Sequence, residues 1–383
     1  LHQWNETVAT RADLTDLVVV GGGPSGLAVA INARLAGLDV AVFERRRPPV
    51  DVACGEGLMP EGVAALDRLG VGLGLDRARP FRGIRFLGDG GSAAGTFPAR
   101  HGLGIRRTTL HQALAERATT LGAELRWDVK VTGLTASGVI TETGPVSARV
   151  VVGADGRMSA VRRWAGLDGR PSRRKRFGIR RHYCVEPWTD LVEVHWADGA
   201  EAYVTPVGPR TVGVALLWSG EPAHFDRLLA RFEQLRDRLD RASVTSDDRG
   251  AGPLEQRAKG VLKGRVALVG DAAGYLDAIS GEGLGLGLRQ AEALVGAVVN
   301  DDLAAYPGAH RRISRHPLRM TRLLLLLSDH PRLRRRVLAR LAENPGLMTR
   351  FLALKTAPGG PAVMGRGGLA GLAWASVVGG RHE

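Results

Sequence analysis

Residues 17–44 constrain this chain more than any other stretch. They begin Leu-Val-Val-Val-Gly-Gly-Gly-Pro-Ser-Gly-Leu-Ala-Val-Ala and end Val-Ala-Val-Phe-Glu. The apolar run 17–20 fits a buried parallel strand, and Gly21, Gly23 and Gly26 follow it as a helical pattern starts at Pro24. In such a turn Gly21 permits the sharp reversal, Gly23 lets a pyrophosphate approach bare backbone, and Gly26 lets the helix pack on the strand. The first-turn N–H groups around Pro24 and Ser25 would face the phosphates. A second apolar run, 40–43, ends at Glu44 and Arg45; the Glu44 carboxylate falls near the spacing of about 20 residues at which it would meet ribose hydroxyls. A glycine triplet alone says little. Here strand, triplet, helix, second strand and terminal acid occur in order within 28 residues, which predicts a dinucleotide-binding unit.

At 383 residues the chain is long for one ordinary core and suggests two closely packed domains. No run reaches the roughly 18–20 apolar residues of a membrane span, since 323–327 and 369–378 are both short. The polar start at Leu1 lacks a basic-then-apolar signal pattern, so a cytoplasmic location is expected. Cys54 and Cys184, the two cysteines, make neither a disulfide framework nor a zinc site, and no metal is expected. The net charge of +14 is concentrated: residues 311–355 hold twelve basic residues against Asp329 and Glu343, or +10, leaving +4 elsewhere. No nucleic-acid-binding signature accompanies it, so no nucleic-acid partner is expected.

Further along, residues 45–104 loosen into a loop, a short helix over 61–69 and strand-like pieces near 84–87. Helical spacing of Leu110, Leu114 and Ala118 follows, with Arg107 at the helix entry, where it would reach a phosphate or lie solvated. Strands are predicted at 125–132 and 150–152, the latter opening into Asp155-Gly156, which is either a ligand turn or a plain one. Residues 177–185, 191–196, 201–205 and 211–218 are β-rich, and a helix over 223–239 follows. A buried strand then ends at Gly270-Asp271, and Ser280-Gly-Glu-Gly-Leu opens a helix to about residue 299, placing Gly281, Gly283 and Leu284 where a flat ring or phosphate would lie against backbone. Beyond residue 307 the pattern is helical, with a glycine-rich tail after 357.

Three stretches coincide in order: the 21–26 turn with Glu44, Asp155-Gly156, and Gly270-Asp271. Over about residues 14–300 the combination resembles the FAD-dependent oxidoreductases of the p-hydroxybenzoate hydroxylase (GR2) fold. The resemblance implies an α/β fold: a Rossmann-like FAD-binding domain (14–170 and 254–305), an inserted antiparallel β-sheet substrate domain (171–253, with strands from about 75–105), and C-terminal helices (306–383). It implies FAD as cofactor and NAD(P)H as co-substrate. It also implies that Arg107 contacts the flavin cofactor, that Asp155-Gly156 serves FAD and nicotinamide docking, that Asp271 binds the ribityl chain, and that residues 281–284 lie beside the isoalloxazine.

Departures from the family pattern point several ways. Gly274 and Ala278 stand where many aromatic hydroxylases carry His and Pro, while Gly274, Glu282 and Cys54-Gly55-Glu56-Gly57-Leu58 resemble the geranylgeranyl-reductase branch. Taken whole, the 51–60 and 270–283 stretches look most like bacterial flavoproteins of polyketide and phenolic-lipid pathways. The flavin halogenases fit poorly, since no Trp-x-Trp-x-Ile-Pro occurs. The leading expectation is a monooxygenase that hydroxylates a small hydrophobic aromatic or lipid-like substrate. A reductase of isoprenoid double bonds and a non-catalytic escort are the alternatives. Cys54 and Glu282 are the candidate catalytic residues, against a buried structural thiol and a loop anchor. His182, Tyr183, His195 and Tyr203 read as packing or surface positions. The arginine-rich and leucine-rich 311–355 segment is read as a helical cap over the substrate domain or as a peripheral membrane contact.

Overall fold

The computed structural model describes residues 15–74, 76–172 and 174–356, with side chains to residue 353. The polar N-terminus, the glycine-rich tail and the 369–378 apolar stretch lie outside the described residues. Two large sheets meet across one cavity. The first has the order Leu262–Lys263, Val266–Leu268, Gly144–Gly153, Thr15–Val20, Val40–Glu44, Glu124–Trp127, and all its neighbours are parallel except the first pair. Its central strands are apolar on both faces because helices cover both, as a parallel sheet requires. Helix Pro24–Leu35 starts on its proline without a side-chain cap and is buried over most of its surface, against helix Gly283–Val299 on one side.

Sequence periodicity misplaces some boundaries. The 125–132 strand is two, Glu124–Trp127 and Val131–Leu134, broken where Asp128 takes a φ of 61°. The 150–152 strand is the end of Gly144–Gly153, whose first half pairs with Gly138–Thr141 in a hairpin. The 223–239 helix is Phe225–Leu229 and Glu233–Leu239, interrupted at Phe232, whose ring is buried beneath the second sheet.

That second sheet runs Arg176–Cys184, Thr211–Ser219, Ala200–Gly208, Leu191–Ala197, Gly83–Gly88, Gly91–Thr96. It is antiparallel except between Leu191–Ala197 and Gly83–Gly88, because the earlier segment inserts alongside the later one. A small sheet of Gly57–Leu58, Gly102–Ile105 and Ala78–Phe81 joins the two. The C-terminal helices Tyr306–Asp329, Pro331–Glu343 and Pro345–Thr356 bury Met320, Leu324, Leu338, Met348 and Leu352 against the edge of the second sheet. Among the described residues no helix is long and apolar enough to cross a membrane.

Candidate functional site

The cavity, of about 970 Å³, extends from the 21–26 turn to the inner face of the second sheet, near the upper end of the roughly 300–1,000 Å³ usual for ligand pockets. Gly21 has a φ of 110°, and a Cβ on Gly26 would stand 1.9 Å from the Gly21 carbonyl oxygen, so strand and helix touch there. At Gly23 a Cβ would meet only Arg107 Nη2, at 3.7 Å, and would fill the cradle at the uncapped helix end. Glu44 holds the turn together: its Oε2 accepts from the Gly22 N–H (3.0 Å) and its Oε1 from Arg46 (3.0 Å), while it still lines the cavity. His111 braces the turn from behind, with Nε2 at 2.9 Å from the Gly22 carbonyl oxygen; burial lowers its pKa.

Of the expected cofactor residues, Gly21, Gly23, Pro24, Ser25, Glu44, Arg45, Arg107, Asp155, Gly156, Asp271, Gly281, Gly283 and Leu284 line this one cavity. Gly26 and Gly270 sit just behind its wall, Gly270 against Ser25 with its N–H donated to Gln290. The Asp155 carboxylate is committed to its own helix, accepting from the N–H groups of Ala160 (2.7 Å) and Val161 (3.1 Å). Asp271 faces the cavity, its carboxyl pushed up by burial and held down by Arg107 and Arg157. Cys54 lines the cavity, its thiol raised by burial. Glu282, at the start of helix Gly283–Val299, does not line it, so the structure brings one of the two candidate catalytic residues to the wall.

Sequence reading passed over a charged ladder on strand Arg176–Cys184. Arg176, Gly178, Arg180 and His182 alternate onto the inward face, and the three polar ones are buried. A run of Arg-x-Gly-x-Arg-x-His at period two was the available signal, because an inward face that polar needs partners. Arg180 pairs with Asp51, and His182 with Glu56, both carboxylates lying in the loop that carries Cys54. Burial lowers the His182 pKa, and the bond to Glu56 works against that shift. Glu56 itself has a φ of 58°, a costly backbone for a non-glycine residue.

The residues present fit FAD. The Gly23 cradle is open, Arg107 Nε is buried with no hydrogen-bond partner, and Arg45, Arg46, Arg157 and Lys130 line the same cavity. Among the described residues no His, Cys, Asp and Glu cluster suits a metal ion.

Comparison with known proteins agrees with this geometry. The family described as FAD binding domain matches residues 14–300. The chain is 30% identical to a menaquinone reductase of Mycolicibacterium smegmatis over 83% of this chain and 85% of that protein. It is 29% identical to the 12-dehydrotetracycline 5-monooxygenase/anhydrotetracycline 6-monooxygenase of Streptomyces rimosus over 82% and 70%. The solved anhydrotetracycline hydroxylase of Streptomyces rimosus superposes with a TM-score of 0.68 at 26% identity, over 88% of this chain and 75% of that one. With the glycine turn, the open cradle and the match over residues 14–300, the chain belongs to the FAD-dependent oxidoreductases of the p-hydroxybenzoate hydroxylase fold.

Proposed function

We propose that this flavoenzyme hydroxylates a hydrophobic aromatic ring of polyketide or phenolic-lipid type, using NAD(P)H and O2. The observation that carries the reading is the far half of the cavity. There Ile84, Phe86, Val194, Leu217, Leu324 and Phe351 form an apolar chamber between the second sheet and the C-terminal helices. When bound, FAD supplies hydride acceptance and oxygen activation, so the chain's task is to bind, orient and exclude water. Gly23, Arg107 and the helix N-terminus would hold the phosphates, and Asp271 the ribityl hydroxyls. Tyr203 donates its hydroxyl to the Ile279 carbonyl (2.9 Å), which fixes the 278–281 backbone beside the chamber; burial keeps that phenol protonated. Similarity to tetracycline oxygenases supports a fused-ring substrate. Turnover under 18O2 tests this: one labelled oxygen in the product is expected, and a product two hydrogens heavier without label contradicts it.

A second reading, reduction of an isoprenoid double bond or quinone-type substrate, is favoured by Cys54 at the cavity wall and by the likeness to menaquinone reductases. It predicts turnover without oxygen uptake.

Under either reading the substrate is apolar, and we extend the proposal to peripheral contact with anionic lipid. Helix Tyr306–Asp329 turns Leu324 inward to the chamber while Leu323 (39% exposed) and Leu326 (45% exposed) face outward with Arg315, Arg319 and Arg322. A basic and apolar outer face on the helix that roofs the chamber suits substrate uptake from a bilayer surface.

A further inference from the structure

The Glu56–His182 pair has a continuation that cofactor binding does not require. Their Oε2 and Nε2 atoms are 2.5 Å apart, with Glu56 at 2% and His182 at 0% exposure. On the far side of the ring, Nδ1 lies 2.8 Å from Ser246 Oγ and 3.2 Å from Arg180 Nη1. A guanidinium nitrogen can only donate, so Nδ1 is the accepting nitrogen and the ring proton sits on Nε2, aimed at Glu56. Ser246 Oγ accepts from the His182 backbone N–H at 3.1 Å, which leaves its own proton for Nδ1. Ser246 is half-buried beside exposed Asp247 and Asp248, whereas Glu56 lines the cavity. The carboxylate is set there by the Arg107 N–H, which donates to Oε1 at 2.8 Å, and by Arg106 and Arg180 at 3.9 and 4.0 Å. Cys54 Sγ accepts from the Glu56 N–H at 3.3 Å, and Asp51 neutralises Arg180 from the same loop.

We propose that Ser246, His182 and Glu56 form a proton relay that carries solvent protons to the cavity wall beside Cys54. The proposal rests on the flavin reading of the cavity and holds for both candidate reactions, since hydroxylation and double-bond reduction driven by a nicotinamide hydride each consume one solvent proton per turnover. Every donor points inward. Water gives a proton to Ser246 Oγ as the Ser246 proton moves to Nδ1; the Nε2–H bond breaks and an Oε2–H bond forms on Glu56. The Glu56 carboxyl then passes that proton to the acceptor in the cavity and no electrons move; the ring is left protonated on Nδ1, and rotation about χ2 turns that N–H toward Glu56 and the bare Nε2 toward Ser246, so that the next proton passes through the ring in the other sense. The left-handed backbone at Glu56 fits this role, because such conformations persist where the surrounding structure demands them.

The test uses the flavin-loaded protein, photoreduced in weakly buffered solution with a pH-indicator dye, so that flavin bleaching and proton uptake are followed together. Uptake keeps pace with bleaching in the wild type. In Ser246→Ala it lags by about a hundredfold, the scale of a lost acid–base group, while bleaching is unchanged; His182→Gln and Glu56→Gln show the same lag of uptake behind their own bleaching. Ser246→Ala removes only a half-buried hydroxyl and carries the test if the buried variants do not fold. Coincident uptake and bleaching in Ser246→Ala, or in a folded His182→Gln, overturns the relay; a wild type that binds no flavin overturns the flavin reading with it.

Discussion

Two glycines three residues apart do different work, and substitution separates them. A Cβ on Gly26 would lie 1.9 Å from the Gly21 carbonyl oxygen, so Gly26→Ala must push helix from strand and is expected to cost about 1–3 kcal/mol or more in urea unfolding of the apoprotein. At Gly23 the Cβ has room among protein atoms but occupies the cradle proposed for the phosphates. Gly23→Ala is therefore expected to stay within about 0.5 kcal/mol of wild-type stability while FAD affinity, measured by fluorescence titration, falls at least about tenfold, or ~1.4 kcal/mol. The close packing at Gly26 was legible in the sequence because spacing alone encodes it, and the same spacing is what assigns Gly23 to a phosphate in the proposal. The hydrogen bonds of the Asp155 carboxylate were not legible: Asp-Gly reads the same whether or not the acid accepts, as here, from the first N–H groups of Ala160–Trp164. The partner of His182 was illegible for a related reason: the period-two run on its strand signals that a partner is needed, but Glu56 lies 126 residues away in a loop.

Among the elements, helix Tyr306–Asp329 is tied to the rest of the site by buried polar groups. Arg176 Nε reaches Asp277 (2.9 Å) and its Nη2 reaches Glu201 (2.8 Å), while Ser328 of the helix donates to Glu201 and Thr321 meets Ser280 at 3.0 Å. The second sheet, the 277–280 loop and the helix are thus tied together by buried polar contacts. Arg176→Ala would strand two buried carboxylates and is expected to lower stability by about 3–5 kcal/mol, measured by denaturant unfolding. Near the start of the same helix His310 has a buried Nε2 without a hydrogen-bond partner, and burial lowers its pKa from 6.5 to about 4. The unfolded chain takes up that proton first as pH falls. The stabilising contribution is therefore complete above pH 6.5 and is lost as pH drops toward about 4, by about 2–3 kcal/mol. In His310→Phe the unfolding free energy should fall less steeply across that window. Amphipathic spacing announced these helices, but it could not say which surface their leucines cover or that Asp277 exists to hold an arginine from a distant strand.

On the scale of the whole molecule, the decisive event is that segment 83–96 joins a sheet whose other strands come from 176–251. Alternation within Gly83–Gly88 marks it as a strand, but its parallel partner Leu191–Ala197 is fixed by the fold of both domains and leaves no local trace. The β-rich middle and the returning dinucleotide-domain segment were legible; the continuity of one cavity from Gly23 to Phe351 was not. The outward face of helix Tyr306–Asp329 makes a further prediction at this scale. Co-sedimentation with anionic vesicles is expected at low salt and should weaken in Arg315→Glu/Arg319→Glu/Arg322→Glu; equal recovery of both proteins in the supernatant removes the membrane proposal. The most direct measurement of the central claim is anaerobic addition of NADPH or NADH to the purified yellow protein, followed by an oxygen pulse with a phenolic substrate present. Bleaching of the flavin band by one nicotinamide, hastened by substrate, with one O2 consumed per hydroxylated product, is the predicted result; flavin that neither nicotinamide reduces, or product formed with no oxygen uptake, would contradict it.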